Sequence, residues 1–464
     1  MRVLLVNPPT ATCPTDTLDV PLGLAYLGAA LMQNGDDVKA VDMAVTPAPW
    51  RELRAIVTEW SPGMACITSV TSTFPAASQA AALIKSLSTE TLVVMGGIHV
   101  STASVVELAQ QADVDIFVLG EGESTVVEIA NLLEVDSGKD WSRVDGLLYR
   151  NGDELVRTRS RQPIADLDNL PYPARHLFPL SHYSALRVIT SRGCPYRCVF
   201  CASSSFWGHT VRFRSPVRVV DEIEHLVREV GCRSVFIVDD TLTLSRTRIA
   251  QLCAEIRRRT LDFEWSCLTR VDLADSETLK DLVLSGCRSI SFGCESGSDR
   301  VLARCGKGID TNTIRRSVLA AKEAGLLVRT SWIFGLPGDT RETILETIGF
   351  IKGLAPDDVA IYTLIPYPGT LIHDNPGKYE LRVHSSQWLD YFSGAPVPVA
   401  TPDGLSPTEV VQLVHFAVSE LEAIGYSDPA LARSSTRTVS SSFGQVAPFR
   451  VSSRGVASSP PRTG

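Results

Sequence analysis

The strongest constraint on this chain is an alternation, run twice, of short apolar segments with longer helix-patterned ones, interrupted once by a proline-rich stretch. Strand-length apolar runs occur at Arg2–Val6, Asp37–Met43, Met64–Val70, Leu92–Met95 and Ile116–Leu119. Helical stretches at Leu22–Gln33, Trp50–Trp60, Ala76–Ser86, Thr102–Gln111 and Glu123–Leu133 separate or follow them. Strands spaced by helices assemble naturally into a doubly wound, Rossmann-like parallel sheet. Gly35 after the first helix reads as its C′ residue. Val144–Arg157 reads as a hairpin, because Asn151-Gly152 supplies a tight turn. Arg161–Leu180 contains four prolines and reads as an ordered linker and domain boundary.

A second series follows, with strands at Leu186–Thr190, Ser234–Asp239, Phe263–Thr269, Ser289–Gly293, Val328–Phe334 and Val359–Leu364. Helix Val217–Val230 carries apolar residues on one face. Six strand–helix pairs fit an open, partial (β/α)6 TIM-like barrel. The expected organisation is therefore a Rossmann-like domain at 1–140, hairpin and linker at 141–184, and the barrel at 185–371. A small helical region at 372–430, with a helix at Pro407–Ile424, and a disordered Ser- and Arg-rich tail at 431–464 complete it.

Composition excludes some functions. Lys and Arg number 44 against 52 Asp and Glu, a net charge of −8 that argues against nucleic-acid binding. No apolar run approaches a membrane span. The opening MRVLLVNPPT is too short for a signal-peptide core and lacks a cleavage site, so a cytoplasmic protein is expected. Eleven cysteines without an export signal read as reduced thiols.

Three of those cysteines form the sharpest motif. Cys194, Cys198 and Cys201 lie on one loop, CxxxCxxC, directly after the first strand of the second series. Three thiolates without a close fourth suit a 4Fe–4S cluster with one iron open to an outside ligand. A zinc site completed by His209 is the alternative.

This loop, with Phe200 before its third cysteine, resembles the signature of the radical S-adenosylmethionine (SAM) superfamily. The resemblance implies that Cys194, Cys198 and Cys201 hold the cluster and that SAM binds its fourth iron. Phe200 would lie near the adenine. Asp239, Arg270, Glu295, Ser296 and Pro337, at strand carboxyl ends, are the remaining SAM candidates. Asp239 reads alternatively as a helix cap.

The first domain is similar to the cobalamin-binding domain that precedes the barrel in one radical-SAM subgroup. Its rim carries the candidate cobalamin contacts Asn7, Pro8, Ser69, Thr71, Gly96, Gly97, His99, Gly120, Glu121, Gly122 and Glu123. No DxHxxG motif is present, which implies cobalamin without a lower histidine ligand. Glu121 and Glu123 read alternatively as a helix-capping pair. Arg212 and Arg214 read as solvated loop residues or as contacts to a substrate anion. The other cysteines read as core thiols, with Cys294 placed nearest the barrel mouth.

The implied activity is a cobalamin-dependent radical SAM methyltransferase. A 5′-deoxyadenosyl radical would activate an unactivated carbon or phosphorus of a small-molecule, natural-product-like substrate. An external donor such as flavodoxin or ferredoxin would supply electrons. The alternative is a non-methylating dehydratase, cyclase, epimerase or rearrangement enzyme with an empty or repurposed first domain. A non-enzymatic iron–sulfur or zinc protein is the third reading, and the open three-cysteine loop counts against it.

Overall fold

A computed structural model of the chain describes residues 1–10, 19–135, 140–183, 186–392, 395, 397–427 and 449–453. Cys13 and most of the tail expected to be disordered lie outside the described residues.

The first sheet contains seven strands: β1 (Arg2–Asn7), β2 (Asp37–Asp42), β3 (Met64–Thr68), β4 (Leu92–Gly96), β5 (Ile116–Val118), β6 (Leu147–Asn151) and β7 (Glu154–Arg157). Its order is β2-β1-β3-β4-β5-β6-β7. The first five are parallel and carry apolar residues on both faces, as expected of strands covered on each side by helices. The sequence reading placed the hairpin with the linker. Instead, β6 pairs antiparallel with β5 through Ile116–Tyr149, so the hairpin completes the first sheet.

Helix Leu22–Gln33 keeps the bounds expected from its sequence, and Gly35 follows it at φ +95°. Thr102–Gln111 is not one helix. It divides into the end of Ile98–Thr102 and all of Val105–Ala109, because Ala103 is extended and the Ser104 side chain caps the second piece by accepting from Glu107 N–H.

The second sheet begins with six parallel strands: β8 (Leu186–Val188), β9 (Ser234–Ile237), β10 (Glu264–Arg270), β11 (Cys287–Glu295), β12 (Leu327–Phe334) and β13 (Asp358–Thr363). Side-chain caps at Ser215, Ser245, Asp275, Asp310 and Thr340 start the helices between them. Phe449–Ser453 was expected within a disordered tail. Its alternating Phe-Arg-Val segment instead pairs antiparallel with β13.

One apolar cluster runs through both domains. It joins Leu5 and Leu24 of the first domain to Val188, Val219 and Ile237 of the barrel, and includes Phe178 of the linker. Ala174 N–H donates to Ala25 O at 2.9 Å. Gly28 makes room for the linker, since a Cβ there would lie 2.7 Å from Leu177 Cδ1. Burying Phe178, which is 4% exposed, contributes about 1.5–3 kcal/mol to holding the domains together. Among the described residues no helix is long and apolar enough to cross a membrane.

Candidate functional site

The cysteine loop leaves β8 under tight backbone control. Ser191–Arg192 pairs antiparallel with Arg212–Phe213, closing the loop at its base. Gly193 turns the chain at φ +102°, where a Cβ would fall 2.4 Å from Thr210 O, so only glycine fits. Val199 N–H donates to Cys305 O at 3.1 Å, tying the loop to the far side of the barrel.

Cys194, Cys198 and Cys201 together line a cavity of about 340 Å³ at the barrel mouth. Burial pushes the Cys198 thiol up, against the pull of Lys307 and Arg270, and pushes Cys201 up to about 11. Burial therefore favours the neutral form of the Cys198 and Cys201 thiols, and a cationic centre would draw their protons off. Among the described residues no three Cys, His, Asp or Glu side chains converge on a single-ion site. Three thiols that line one cavity without converging on a single-ion point suit a polynuclear iron–sulfur cluster better than a tetrahedral zinc.

Phe200, Arg270 and Glu295 line the same cavity. Arg270 stacks over Tyr196 at 3.6 Å, donates to both oxygens of Asp272 and to Lys307 O at 2.7 Å, and places one nitrogen 3.9 Å from Cys198 Sγ. Glu295 ends β11 in the left-handed region, φ +68°, and accepts from Lys307 Nζ at 2.7 Å. Burial pulls the Lys307 ammonium down, but Glu295 and Cys198 outweigh it and the net shift is upward.

Asp239, Ser296 and Pro337 do not line the cavity. Asp239 is 1% exposed and neither meets the cavity nor caps a helix. It accepts from Thr190 N–H at 2.6 Å, Ser191 N–H at 3.2 Å and both hydroxyls at 2.5 and 2.7 Å. It braces the strand that launches the cysteine loop, and its neighbour Asp240 faces the cavity instead. Ser296 accepts from Ser298 N–H. Pro337 is buried in a turn closed by Asp339, which accepts from Gly335 and Leu336 N–H.

Sequence reasoning missed Lys307 and the inward-facing Ser291, Arg329, Ser331 and Tyr362, which complete the lining. The available signal was polar residues at alternate strand positions, such as Arg329 and Ser331 between buried Val328, Thr330 and Trp332.

A second cavity, of about 170 Å³, opens at the carboxyl ends of the first sheet. Gly96, Gly97, Gly120, Glu121, Gly122 and Glu123 form its rim, with Leu24, Cys66, Val94, Val118 and Val126 also in its lining. Burial pushes Cys66 up to about 12, so it presents a neutral thiol. Gly97, at φ +108°, passes so near the β3 end that a Cβ would lie 2.4 Å from Ser69 O. This apolar, glycine-rimmed cleft fits an aromatic-base fragment of a cobalamin and is too small for its whole macrocycle.

Asn7, Pro8, Ser69, Thr71 and His99 fall outside that lining. Asn7 donates to Asp42 at 2.7 Å. His99 is fully buried, with Nε2 3.2 Å from Glu107 and its ring against Phe74 and Trp388. The segment Trp388–Asp390 packs over the turn Thr71–Thr73, so the carboxyl-terminal region covers this part of the rim. His99 thus lies beneath the carboxyl-terminal region, outside the cavity lining.

The first cavity reaches the base of the cysteine loop, where Arg192, Phe206 and Trp207 line it. Arg192, two residues before Cys194, is 4% exposed and donates to Glu121 at 2.7 Å and Glu123 at 2.6 Å. Its guanidinium lies 5.3 Å from the Tyr26 ring and 5.0 Å from the Trp207 ring. Arg212 donates to the other oxygen of Glu121 at 2.7 Å. Burial pulls the Glu121 carboxyl up, yet Arg212 and Arg192 outweigh it and hold it below its usual range. Glu121 and Glu123 therefore bridge domains rather than simply cap a helix. Arg214 pairs with buried Glu222 at 2.6 Å and Arg212 with Glu121, so neither is a solvated loop residue. Cys294 is fully buried, a core thiol.

Residues 188–351 match the Radical SAM superfamily, and residues 16–130 match the B12 binding domain. An uncharacterised methyltransferase of Pyrococcus horikoshii is 34% identical over 405 residues, covering 86% of this chain and 87% of its own. An anaerobic magnesium-protoporphyrin IX monomethyl ester cyclase of Rubrivivax gelatinosus is 27% identical over 432 residues, covering 89% and 76%. The fold is shared with the radical SAM methyltransferase TsrM of Kitasatospora setae, solved with cobalamin and a [4Fe–4S] cluster. That structure has a TM-score of 0.74 at 21% identity, covering 92% of this chain and 89% of that one. From these matches, the chain is a member of the radical SAM superfamily, in the branch that carries an amino-terminal B12-binding domain.

Proposed function

We propose that this enzyme is a cobalamin-dependent radical SAM methyltransferase acting on an unactivated carbon of a small molecule. One observation carries the proposal: the cysteine loop borders both cavities, its three cysteines lining one while Arg192 before them and Phe206 and Trp207 after them line the glycine-rimmed other, so two cofactors can sit on either side of one loop. When bound, the cluster with SAM supplies a 5′-deoxyadenosyl radical and cobalamin supplies a methyl group.

The chain's own residues do the positioning. Cys194, Cys198 and Cys201 would hold the cluster, and Arg270 lies beside Cys198. Glu295, fixed by Lys307, lines the cavity with a carboxylate suited to the hydroxyls or amine of SAM. Phe200 supplies an apolar face for the adenine. Gly96, Gly97, Gly120 and Gly122 would let cobalamin approach backbone closely. An external electron donor such as a flavodoxin or ferredoxin would reduce the cluster.

The cyclase relative favours one second reading, a radical enzyme that rearranges or cyclises without transferring methyl. Anaerobically purified protein, reconstituted with iron and sulfide and offered cobalamin, tests the first reading. About one cobalamin and about four irons per chain are expected. Four irons without cobalamin would overturn the methyltransferase assignment. Product mass then separates the readings: a gain of one CH₂ supports methylation, and an isomer or loss of water the second.

A further inference from the structure

We infer that Arg192 is a positioning residue that makes SAM binding at the cluster responsive to occupancy of the first-domain cavity. The inference rests on the cobalamin reading above. Arg192 itself lines the first cavity, as do all four residues that hold it: Glu121, Glu123, Tyr26 and Trp207. Any ligand filling that cavity therefore touches the clasp directly.

On its other side, Arg192 belongs to the two-residue strand that launches the cysteine loop, and Gly193 after it has no room to relax. Ser191, before it, is held by Asp239. Displacement of the guanidinium must pass into Cys194 or break one of these contacts. Trp207 strengthens the link, because the helix Ser203–Trp207 follows Cys201 directly. Both ends of the cysteine loop thus reach the same cavity wall.

The buried charges make this arrangement stiff. Two arginines face two carboxylates with little solvent, so loosening any one partner leaves a buried charge uncompensated. A ligand packing against Tyr26 and Trp207 favours the clasped state, and the clasped state is the one in which the loop is held in place. Linkage then requires reciprocity: cobalamin tightens SAM binding by the same factor by which SAM tightens cobalamin binding.

The test uses cluster-reconstituted full-length protein, with and without hydroxocobalamin. SAM is titrated and followed by the change it causes in the EPR spectrum of the reduced cluster. Hydroxocobalamin binding is followed by absorbance. The expected result for the native chain is a SAM affinity at least about fivefold higher with cobalamin bound. Arg192→Lys keeps the charge but loses the two-pronged, ring-sandwiched geometry. Glu123→Gln keeps the shape and removes one charge-assisted bond. Both are expected to bring the ratio to about one, with Glu123→Gln available should Arg192→Lys not fold. Equal SAM affinities in the native chain with cobalamin bound, or an unchanged ratio in the variants, would overturn the coupling alone. Failure of cobalamin to bind at all would overturn the cofactor reading beneath it.

Discussion

Asp239→Asn, set beside Asp239→Ala, separates a bracing residue from a SAM ligand. The carboxylate accepts four hydrogen bonds, two from backbone N–H groups and two from hydroxyls, all from Thr190 and Ser191. Bonds to a charged acceptor contribute about 1.5–3 kcal/mol each, against about 0.5–1.5 for neutral ones. The asparagine oxygen can still take both N–H groups, while the hydroxyls rotate to accept from its amide. Charge assistance is lost across four bonds, at about 1 kcal/mol each, and relief from burying a charge returns part of it. The net loss is about 3 kcal/mol, which at about 2–4 °C per kcal/mol lowers the melting temperature by about 6–12 °C. Asp239→Ala strands two buried N–H groups and costs more. The assay is differential scanning fluorimetry under nitrogen, with iron content after reconstitution and SAM affinity of the loaded fraction by EPR. Melting temperature and iron should fall together while SAM affinity stays within about twofold. Normal melting and normal iron, with SAM affinity lost tenfold or more, would refute the bracing role.

Three further outcomes are expected. Gly97→Ala places a Cβ 2.4 Å from Ser69 O at a left-handed position, so hydroxocobalamin affinity by absorbance titration should fall at least tenfold while the cluster still loads. Lys307→Met leaves Glu295 buried without its cation and should cost about 3–5 kcal/mol; adding Glu295→Gln should recover most of the melting temperature. Burial pushes Asp339 up to about 6, although Thr343 and the Leu336 and Gly335 N–H groups pull the other way. Because the folded state holds this proton more tightly than the unfolded chain, its share of stability is full below about pH 4 and is lost as pH rises to about 6. Denaturation midpoints at pH 4.5 and 7.5 should show Asp339→Asn lacking a component on the order of 2 kcal/mol; an identical pH trend in both proteins would remove the assignment.

Local structure was legible wherever local chemistry decided it. Helix Leu22–Gln33 followed from an unbroken apolar run stopped by Asn34-Gly35, and the parallel strands from their apolar cores and turn residues. The cysteine spacing alone pointed to three thiols meeting at one site, and all three line one cavity. What escaped was long-range pairing. Glu121 and Arg192 are 71 positions apart, and each has a plausible local reading as a cap or loop residue. Trp388 covers His99 from nearly 300 residues away, and nothing near His99 in the chain announces it. Inward-facing Arg329 and Ser331 were hidden because an alternating strand does not say which face is the interior.

The apolar cluster that threads both sheets through the linker has a consequence for turnover. A hinge between the domains would have to tear open that core, so the spacing between the two reaction chambers is fixed when the chain folds. Molecules held in the two cavities must then come into register by their own movement within that frame. Such a frame trades speed of opening for constancy: every binding event meets the same two cavities at the same separation.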